Sequence, residues 1–198
     1  MEGHPWLAKM LDFTMRPLYP VRELVVPEAH GRVLEIGVGT GLNFALYGRI
    51  DELVGIDPDP HMLQWARGRT CEVGRPVTLH QTGAESLPCE DESFDSVVLT
   101  FTLCTIPDVP AALAEIRRVL KPDGQVLFAE HTRSKQPAMV SVQNALTPLW
   151  KRLGGGCHLN RPAVDLLHQN GFETPECVPV WRETWTLLPV YRGVAVRA

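Results

Sequence analysis

A strand that runs directly into closely spaced glycines is the feature that most constrains how this chain folds. The run Val33–Ile36 is apolar except for Glu35, and in the next segment, Gly37–Gly41, every second residue is glycine. Glycine has no Cβ, so such a segment turns tightly and lets its backbone come close to a ligand. We expect a helix over 42–49 after this loop, with its free N–H groups pointing toward that ligand.

An acidic residue closes the second predicted strand. Leu53–Ile56 is apolar, and Asp57 follows it, twenty residues after Gly37. A carboxylate at this place is suited to accept hydrogen bonds from a ribose diol. The spacing G-x-G-x-G is one residue shorter than the dinucleotide fingerprint G-x-G-x-x-G. The combination predicts a nucleoside-type cofactor site, with a purely structural glycine turn as the alternative.

Strand-like and helix-like segments alternate along the chain, which predicts an α/β fold with a parallel sheet covered by helices. The predicted strands span 33–36, 53–56, 77–81, 94–100 and 125–130, followed by an antiparallel edge hairpin near 177–187 and 191–196. The predicted helices span 42–49, 58–68, 109–120, 136–153 and 161–170. We expect Pro148 to interrupt the fourth of these helices, Asn160 to cap the fifth, and 121–124 to form a turn.

Composition narrows the class of protein. The 198 residues carry a net charge of −4, which predicts no nucleic-acid partner. The five cysteines are odd in number and lack a C-x-x-C pair, which argues against a disulfide framework and indicates a reducing compartment. No window approaches the roughly 18 apolar residues of a membrane span, and no signal peptide is visible, so we predict a cytoplasmic protein.

The N-terminal segment Trp6–Phe13 has the apolar spacing of a short helix. We expect it to pack over the domain or its substrate pocket, with a weak peripheral membrane contact as the alternative. The predicted organisation is one domain over 1–198. It comprises a helical cap at 1–26, a cofactor-binding core at 27–135, and acceptor-side helices with the hairpin at 136–198.

The strand, the glycine loop and the terminal Asp57, with Glu35 two residues before the first glycine, resemble motif I of class I S-adenosylmethionine-dependent methyltransferases of the type 11 group. The resemblance implies S-adenosylmethionine as cofactor and a small-molecule methyl acceptor. It also implies a Rossmann-like three-layer sandwich whose seven-stranded sheet is mostly parallel, with one antiparallel strand near the C-terminus. The cofactor contacts that it implies are Glu35, Gly37, Gly39, Thr40, Gly41, Asp57, Pro58, Ala84, Glu85, Thr100, Phe101 and Thr102.

Residues directly after the fifth strand are the candidates for catalysis, because ligands in open α/β sheets lie beyond the carboxyl ends of the strands. His131 is suited to remove a proton from an acceptor, since its ordinary pKa is near neutrality. Glu130 would orient His131 or bind the acceptor. A purely structural Glu130–His131 pair is the alternative.

Two cysteines near this edge receive different interpretations. Cys104 is interpreted as a small buried hydrophobe rather than a pocket residue. Cys157 and His158 are adjacent, and neighbouring side chains seldom converge on one ion, so we predict no metal. Their glycine-rich segment is expected to close the acceptor pocket.

Leu103-Cys104, Glu130-His131 and the run Trp150–Arg161 resemble the small methyltransferase subfamily that includes animal thiol S-methyltransferases. This resemblance makes a thiol the first candidate acceptor. N-methylation of a lipid amine headgroup and C-methylation of a quinol are the alternatives within enzymes. A noncatalytic cofactor- or partner-binding module is the alternative outside them.

Overall fold

Seven strands pair into one sheet in the computed structural model, which describes residues 5–181 and 187–198. The strands are β1 (Gly31–Ile36), β2 (Ile50–Ile56), β3 (Val77–His80), β4 (Phe94–Thr100), β5 (Leu120–His131), β6 (Phe172–Pro179) and β7 (Val190–Arg197). Their order across the sheet is β3-β2-β1-β4-β5-β7-β6. Only β7 runs against its neighbours, because it pairs antiparallel with both β5 and β6, while the other pairs are parallel. The predicted fold class is confirmed.

Six α-helices accompany the sheet in the described residues. They are α1 (Pro5–Met15), α2 (Tyr19–Arg22), α3 (Pro60–Arg69), α4 (Val109–Val119), α5 (Pro137–Leu153) and α6 (Ala163–Gln169). Asp59 and Asp108 cap α3 and α4 by accepting backbone hydrogen bonds, and a proline stands early in each helix. None of the helices in the described part of the chain has the length and apolar character needed to cross a membrane.

Side chains on the two faces of the sheet form two apolar clusters. On β1, Leu34 and Ile36 enter one cluster with residues of α4 and α6, and Val33 enters the other with Leu63 and Ala66 of α3. This alternation follows from the two-residue period of a strand. The sheet therefore has a helical layer on each side, and its strand order reverses between β1 and β4. Such a switch point opens a crevice at the carboxyl ends of the two strands.

The helix predicted over 42–49 is wrong. That segment forms turns and a single 3₁₀ turn, Phe44–Leu46. Asn43 and Tyr47 are buried and hydrogen-bond the carboxylate of Glu35, and such side-chain bonds compete with helical ones. The chain must also reach the start of β2 at Ile50. No helix N-terminus from this segment therefore faces the glycine loop.

Three smaller predictions are also corrected. Helix α5 continues through Pro148 without interruption. Helix α6 begins at Ala163, because the residue before Pro162 is disfavoured in a helix, and Asn160 donates to Asn144 instead of capping it. The segment 121–124 lies within β5 as an irregularity, since Phe94 pairs with Leu120 and Ser96 pairs with Gln125.

The C-terminal hairpin is present with shifted bounds. Its first strand begins at Phe172, directly after Gly171 ends the preceding helix, rather than near 177. Residues 182–186, which include part of the predicted strand, lie outside the described residues.

Candidate active site

The glycine loop takes a backbone conformation that glycine favours. Gly37, Gly39 and Gly41 have φ values of +66°, +55° and +81°. A Cβ on Gly37 would lie 2.7 Å from the Thr102 methyl carbon, so glycine at this position permits the close approach of the segments that follow β1 and β4. A Cβ on Gly39 would meet nothing within 4 Å. The loop is therefore packed against protein at Gly37 and open at Gly39.

Asp57 connects the end of β2 to this loop. Its Oδ2 accepts a hydrogen bond from the Gly39 N–H at 2.9 Å, and its Oδ1 accepts one from the Asp59 N–H at 2.9 Å. Burial raises the pKa of Asp57 to about 6, although the two amide hydrogen bonds oppose the shift. A carboxylate has about four lone-pair positions. Asp57 thus retains acceptor capacity for a ligand, whereas its neighbour Pro58 is exposed.

Glu35 lies beneath the loop, where protein groups occupy its carboxylate. Tyr47 donates to Oε2 at 2.7 Å and Asn43 donates to Oε1 at 2.9 Å. Burial raises the pKa of Glu35 to about 7 against these hydrogen bonds and the nearby charge of Arg22. These contacts make Glu35 a support for the loop. Its predicted direct contact with a cofactor stays a prediction.

Arg22 is a buried cation that sequence reasoning missed. Its Nη1 donates to Asn43 Oδ1 at 2.8 Å and to Thr100 Oγ1 at 2.7 Å. The guanidinium carbon lies 5.3 Å from the centre of the Phe101 ring, within the range of a cation–π interaction. Burial lowers the pKa of Arg22, while the charges of Glu35 and Glu130 oppose that effect. Two of the predicted pocket residues, Thr100 and Phe101, are therefore held by α2.

The helical cap contacts the loop through an acidic residue. Asp12 of α1 is 3% exposed and accepts from Thr40 Oγ1 at 2.7 Å and Arg69 Nη1 at 2.8 Å. Burial alone would raise the pKa of Asp12, but the hydrogen bonds from Arg69, Thr40 and Arg16 outweigh it and lower the pKa. Trp6 and Phe13, by contrast, project outward and are exposed. Thr40, a predicted cofactor contact, is thus engaged by α1.

The turn after β4 is held by Glu130. Phe101 has φ +57°, an uncommon conformation for a non-glycine residue that often marks functional sites. Glu130 Oε1 accepts from the backbone N–H groups of Thr102, at 2.6 Å, and Leu103, at 3.1 Å. Burial raises the pKa of Glu130 to about 7, although these two amides oppose the shift. Thr102 Oγ1 also donates to the Ile36 carbonyl at the end of β1, which joins the two crevice strands.

Two further predicted cofactor contacts, Ala84 and Glu85, are engaged by protein. Ala84 is buried in an apolar cluster. Glu85 accepts a hydrogen bond from the backbone N–H of Asp108 at 3.2 Å. Their contacts with a cofactor stay predictions.

His131 meets two cysteines at the carboxyl end of the sheet. Its Nε2 lies 3.1 Å from Cys157 Sγ, and the ligand atoms of Cys104, His131 and Cys157 all lie within 4.8 Å of one another. A hydrogen bond from Cys104, together with His131, lowers the pKa of Cys157 against the effect of burial. Burial would lower the pKa of His131, but its interactions with Cys157 outweigh that and raise it. The site therefore has a sulfur- and nitrogen-rich side beyond Glu130.

His158, the sequence neighbour of Cys157, is not part of the cluster of Cys104, His131 and Cys157. Its backbone N–H donates to the Cys104 carbonyl at 2.9 Å, and its Nδ1 lies 3.0 Å from the same oxygen. Arg161 donates to the carbonyls of Leu103 and Ile106. The loop after α5 is thus fastened to the segment after β4. The side chains of Cys104 and His131, rather than that of the adjacent His158, therefore lie next to Cys157.

Comparison with known proteins places this geometry in a family. Residues 34–128 match the family model described as a methyltransferase domain. A rat protein, thiol S-methyltransferase TMT1B, is 32% identical over 160 residues, which cover 77% of this chain and 65% of the rat protein. Residues 34–128 of the chain therefore carry a methyltransferase domain. Its cofactor is S-adenosylmethionine.

One further relative and one solved structure are also similar to this methyltransferase domain. Phosphatidylethanolamine N-methyltransferase of Cereibacter sphaeroides is 37% identical over 126 residues, covering 63% of this chain and 62% of that protein. The crystal structure of YcgJ from Bacillus subtilis superimposes with a TM-score of 0.67 at 21% identity, covering 91% of this chain and 98% of that one. The chain thus spans less than two thirds of the length of the two named enzymes.

The arrangement of the methyltransferase domain fits its cofactor in two respects. The loop is open at Gly39, where a Cβ would enter free space. Asp57 lies next to that opening with lone pairs to spare for ribose hydroxyls. Among the residues that sequence reasoning missed, Arg22, Asn43 and Tyr47 support the loop from below.

We expect the affinity of this methyltransferase domain for S-adenosylmethionine to fall as pH drops through about 6. The pKa of Asp57 is raised to about 6, so its carboxylate is ionised at pH 8 and largely protonated at pH 5. A protonated carboxyl accepts hydrogen bonds from a ribose more weakly. Calorimetric titration should show a loss of about tenfold between pH 8 and pH 5, equivalent to ~1.4 kcal/mol. Asp57→Asn should bind weakly with a flat profile, and a wild-type profile that is equally flat would contradict the role of Asp57.

Proposed function

We propose that this protein is an S-adenosylmethionine-dependent methyltransferase whose acceptor is a small thiol. The observation that carries the proposal is a convergence. The three segments that resemble thiol S-methyltransferases contribute Cys104, His131 and Cys157, and these meet at the carboxyl edge of the sheet. The relation to rat thiol S-methyltransferase TMT1B supports the same acceptor.

The chemistry makes modest demands on the protein. The cofactor supplies an activated methyl group when bound. The residues of the chain must bind and orient the two reactants and exclude water, and orientation can supply about 7–11 kcal/mol in favourable systems. A free thiol has a pKa of about 8.5 and its thiolate is a strong nucleophile. His131 is the proposed proton acceptor, and Glu130 is the proposed positioning residue through its hydrogen bonds to the backbone of Thr102 and Leu103.

A lipid amine headgroup is the second candidate acceptor, because the Cereibacter sphaeroides relative is a phosphatidylethanolamine N-methyltransferase. A cytoplasmic location belongs to the proposal for a small soluble thiol. It agrees with the five cysteines, all of which are unpaired.

Methyl transfer to a panel of acceptors tests the proposal. The panel contains hydrogen sulfide, an alkyl thiol, a phosphatidylethanolamine vesicle and a quinol, with products identified by mass. We expect S-methylated products in clear preference. Turnover with the lipid or the quinol alone would replace the thiol, and silence across the panel despite cofactor binding would favour a noncatalytic module.

The variant His131→Ala locates the reaction in this site. We expect thiol turnover to fall at least a hundredfold, which is within the usual contribution of acid–base groups, while cofactor affinity stays within about twofold. His168→Ala is the matched control, because His168 is exposed on α6 and contacts Thr174. Undiminished turnover in His131→Ala would remove His131 from the catalytic residues.

A further inference from the structure

Three side chains with metal-binding atoms meet beside the proposed acceptor position. Cys104 follows β4, His131 ends β5, and Cys157 lies in the loop after α5. Their ligand atoms lie within 4.8 Å of one another, and His131 Nε2 lies 3.1 Å from Cys157 Sγ. Cys104 and His131 are 3% and 7% exposed. Two sulfurs and one imidazole from three separate segments thus form a cluster in which Cys104 and His131 are buried and Cys157 is partly exposed.

The spacing of these atoms suits a tetrahedral ion. Zinc binds sulfur at about 2.3 Å and histidine nitrogen at about 2.0 Å, so its ligands lie roughly 3.5–3.8 Å apart. The cluster, with separations of 4.8 Å or less, reaches this geometry by side-chain shifts of about 1 Å. Soft thiolates and an imidazole select zinc over magnesium or calcium.

The backbone around the cluster is already fixed. His158 holds the carbonyl of Cys104, and Arg161 holds the carbonyls of Leu103 and Ile106. Such outer contacts orient metal ligands. Only three ligand groups belong to the cluster within the described ranges 5–181 and 187–198. Zinc sites with three protein ligands keep a fourth position for water or substrate.

We propose that Cys104, His131 and Cys157 bind a zinc ion whose fourth position receives the sulfur of the acceptor thiol. The zinc site stands on geometry alone, and the thiol at its fourth position rests on the proposed function. This proposal replaces the sequence-based expectation of no metal, which considered Cys157 with its neighbour His158.

In the zinc-loaded protein the metal takes over the proton removal assigned above to His131. As the acceptor sulfur binds the ion, its proton is released to solvent, since a coordinated thiol is deprotonated. That sulfur then forms a bond to the methyl carbon of S-adenosylmethionine. The old carbon–sulfur bond breaks, and its electron pair remains on the cofactor sulfur, which becomes a neutral thioether.

Metal content and affinity of the full chain test the zinc site without any turnover. Elemental analysis of protein purified without chelator should give about one zinc per chain. Competition with a chromophoric chelator should give at least a hundredfold tighter binding for the wild type than for Cys157→Ser or His131→Gln. Cys71→Ser and Cys177→Ser are the matched controls, because these cysteines lie outside the cluster. Zinc well below one per chain, or equal affinity in all variants, would overturn the site.

Thermal melting shows whether a variant binds zinc weakly because it lacks a ligand or because it is unfolded. Zinc added back to protein stripped with a chelator should raise the Tm of the wild type and of the two controls, and leave Cys157→Ser unchanged. An equal rise in Cys157→Ser would also overturn the site.

Cobalt substitution tests the fourth position. The cobalt-loaded protein should show thiolate charge-transfer and tetrahedral d–d absorption, and an added alkyl thiol should shift these bands. A spectrum that thiol leaves unchanged would overturn the acceptor position while the metal site stood. Failure of thiol methylation in the acceptor panel would leave the zinc stoichiometry unaltered, so the two proposals fail separately.

Discussion

Gly39→Ala is expected to weaken S-adenosylmethionine binding at least tenfold, while its cost in stability is limited to the strain of a left-handed backbone. A Cβ at Gly39 meets no protein atom within 4 Å, so the protein itself has room for it. We expect a bound cofactor to occupy this same space, against the backbone of Gly39. The Gly39 N–H also donates to Asp57, so a shifted loop would misplace the carboxylate that we expect at the ribose.

Gly74→Ala is the matched control for this prediction. Gly74 has φ +65°, close to the +55° of Gly39, and its Cβ would likewise meet nothing within 4 Å. Both substitutions carry the same left-handed backbone cost of roughly 1–2 kcal/mol. Calorimetry and thermal melting should therefore show equal losses of Tm and a loss of cofactor affinity in Gly39→Ala alone. Equal affinity in the two variants would show that the cofactor does not approach Gly39.

The strands of the central sheet could be predicted because their sequences carry the information locally. Val33–Ile36 is apolar except for Glu35, and 97–99 is apolar throughout. Both runs are buried on both faces, as strands in the middle of a parallel sheet are. Turn residues mark their ends, and the strand bounds found in the structure differ mainly at those ends. Proline was less informative, because the chain passes Pro148 without leaving the helix.

The segment after the glycine loop shows where local prediction fails. Its residues suit a helix by composition, but Asn43 and Tyr47 are drawn inward by the carboxylate of Glu35. A buried carboxylate needs hydrogen-bond donors, and this requirement outweighs helix propensity. The partner lies in the preceding strand, so no pattern within 42–49 could reveal it.

Some residues of the candidate site could likewise be predicted from the local sequence, and others could not. The placement of Asp57 and His131 at the carboxyl edge of the sheet could be predicted, because each lies at the end of a strand and strand ends meet at one edge. Asp12 and Arg22 could not, because their contacts depend on how the N-terminal helices dock on the sheet. The proximity of Cys104 and Cys157 depends on the loop after α5 folding back. Their separation in sequence concealed the cluster, and the adjacent His158 suggested the wrong pair.

Arg22→Met is expected to lower the free energy of unfolding by about 3 kcal/mol and to weaken cofactor binding as well. Arg22 is 7% exposed, and its loss leaves Asn43 Oδ1 without its only donor in the described structure. The charges of Glu35 and Glu130, which Arg22 offsets, then remain buried without it. Asn43 supports the glycine loop through its hydrogen bond to Glu35. Losing the Arg22–Asn43 hydrogen bond should therefore weaken cofactor binding as well.

Urea unfolding and calorimetry measure the two effects of Arg22→Met. Arg75→Met is the matched control, because Arg75 is exposed in the loop before β3, and its unfolding free energy should change by less than about 0.5 kcal/mol. Arg22→Lys should give an intermediate loss, since an ammonium keeps the charge but loses the planar guanidinium that lies over the Phe101 ring. A loss below about 1 kcal/mol in Arg22→Met would mean that the buried cation costs as much in desolvation as its hydrogen bonds return. In that case Asn43 and Tyr47 would hold Glu35 beneath the glycine loop without a net contribution from Arg22.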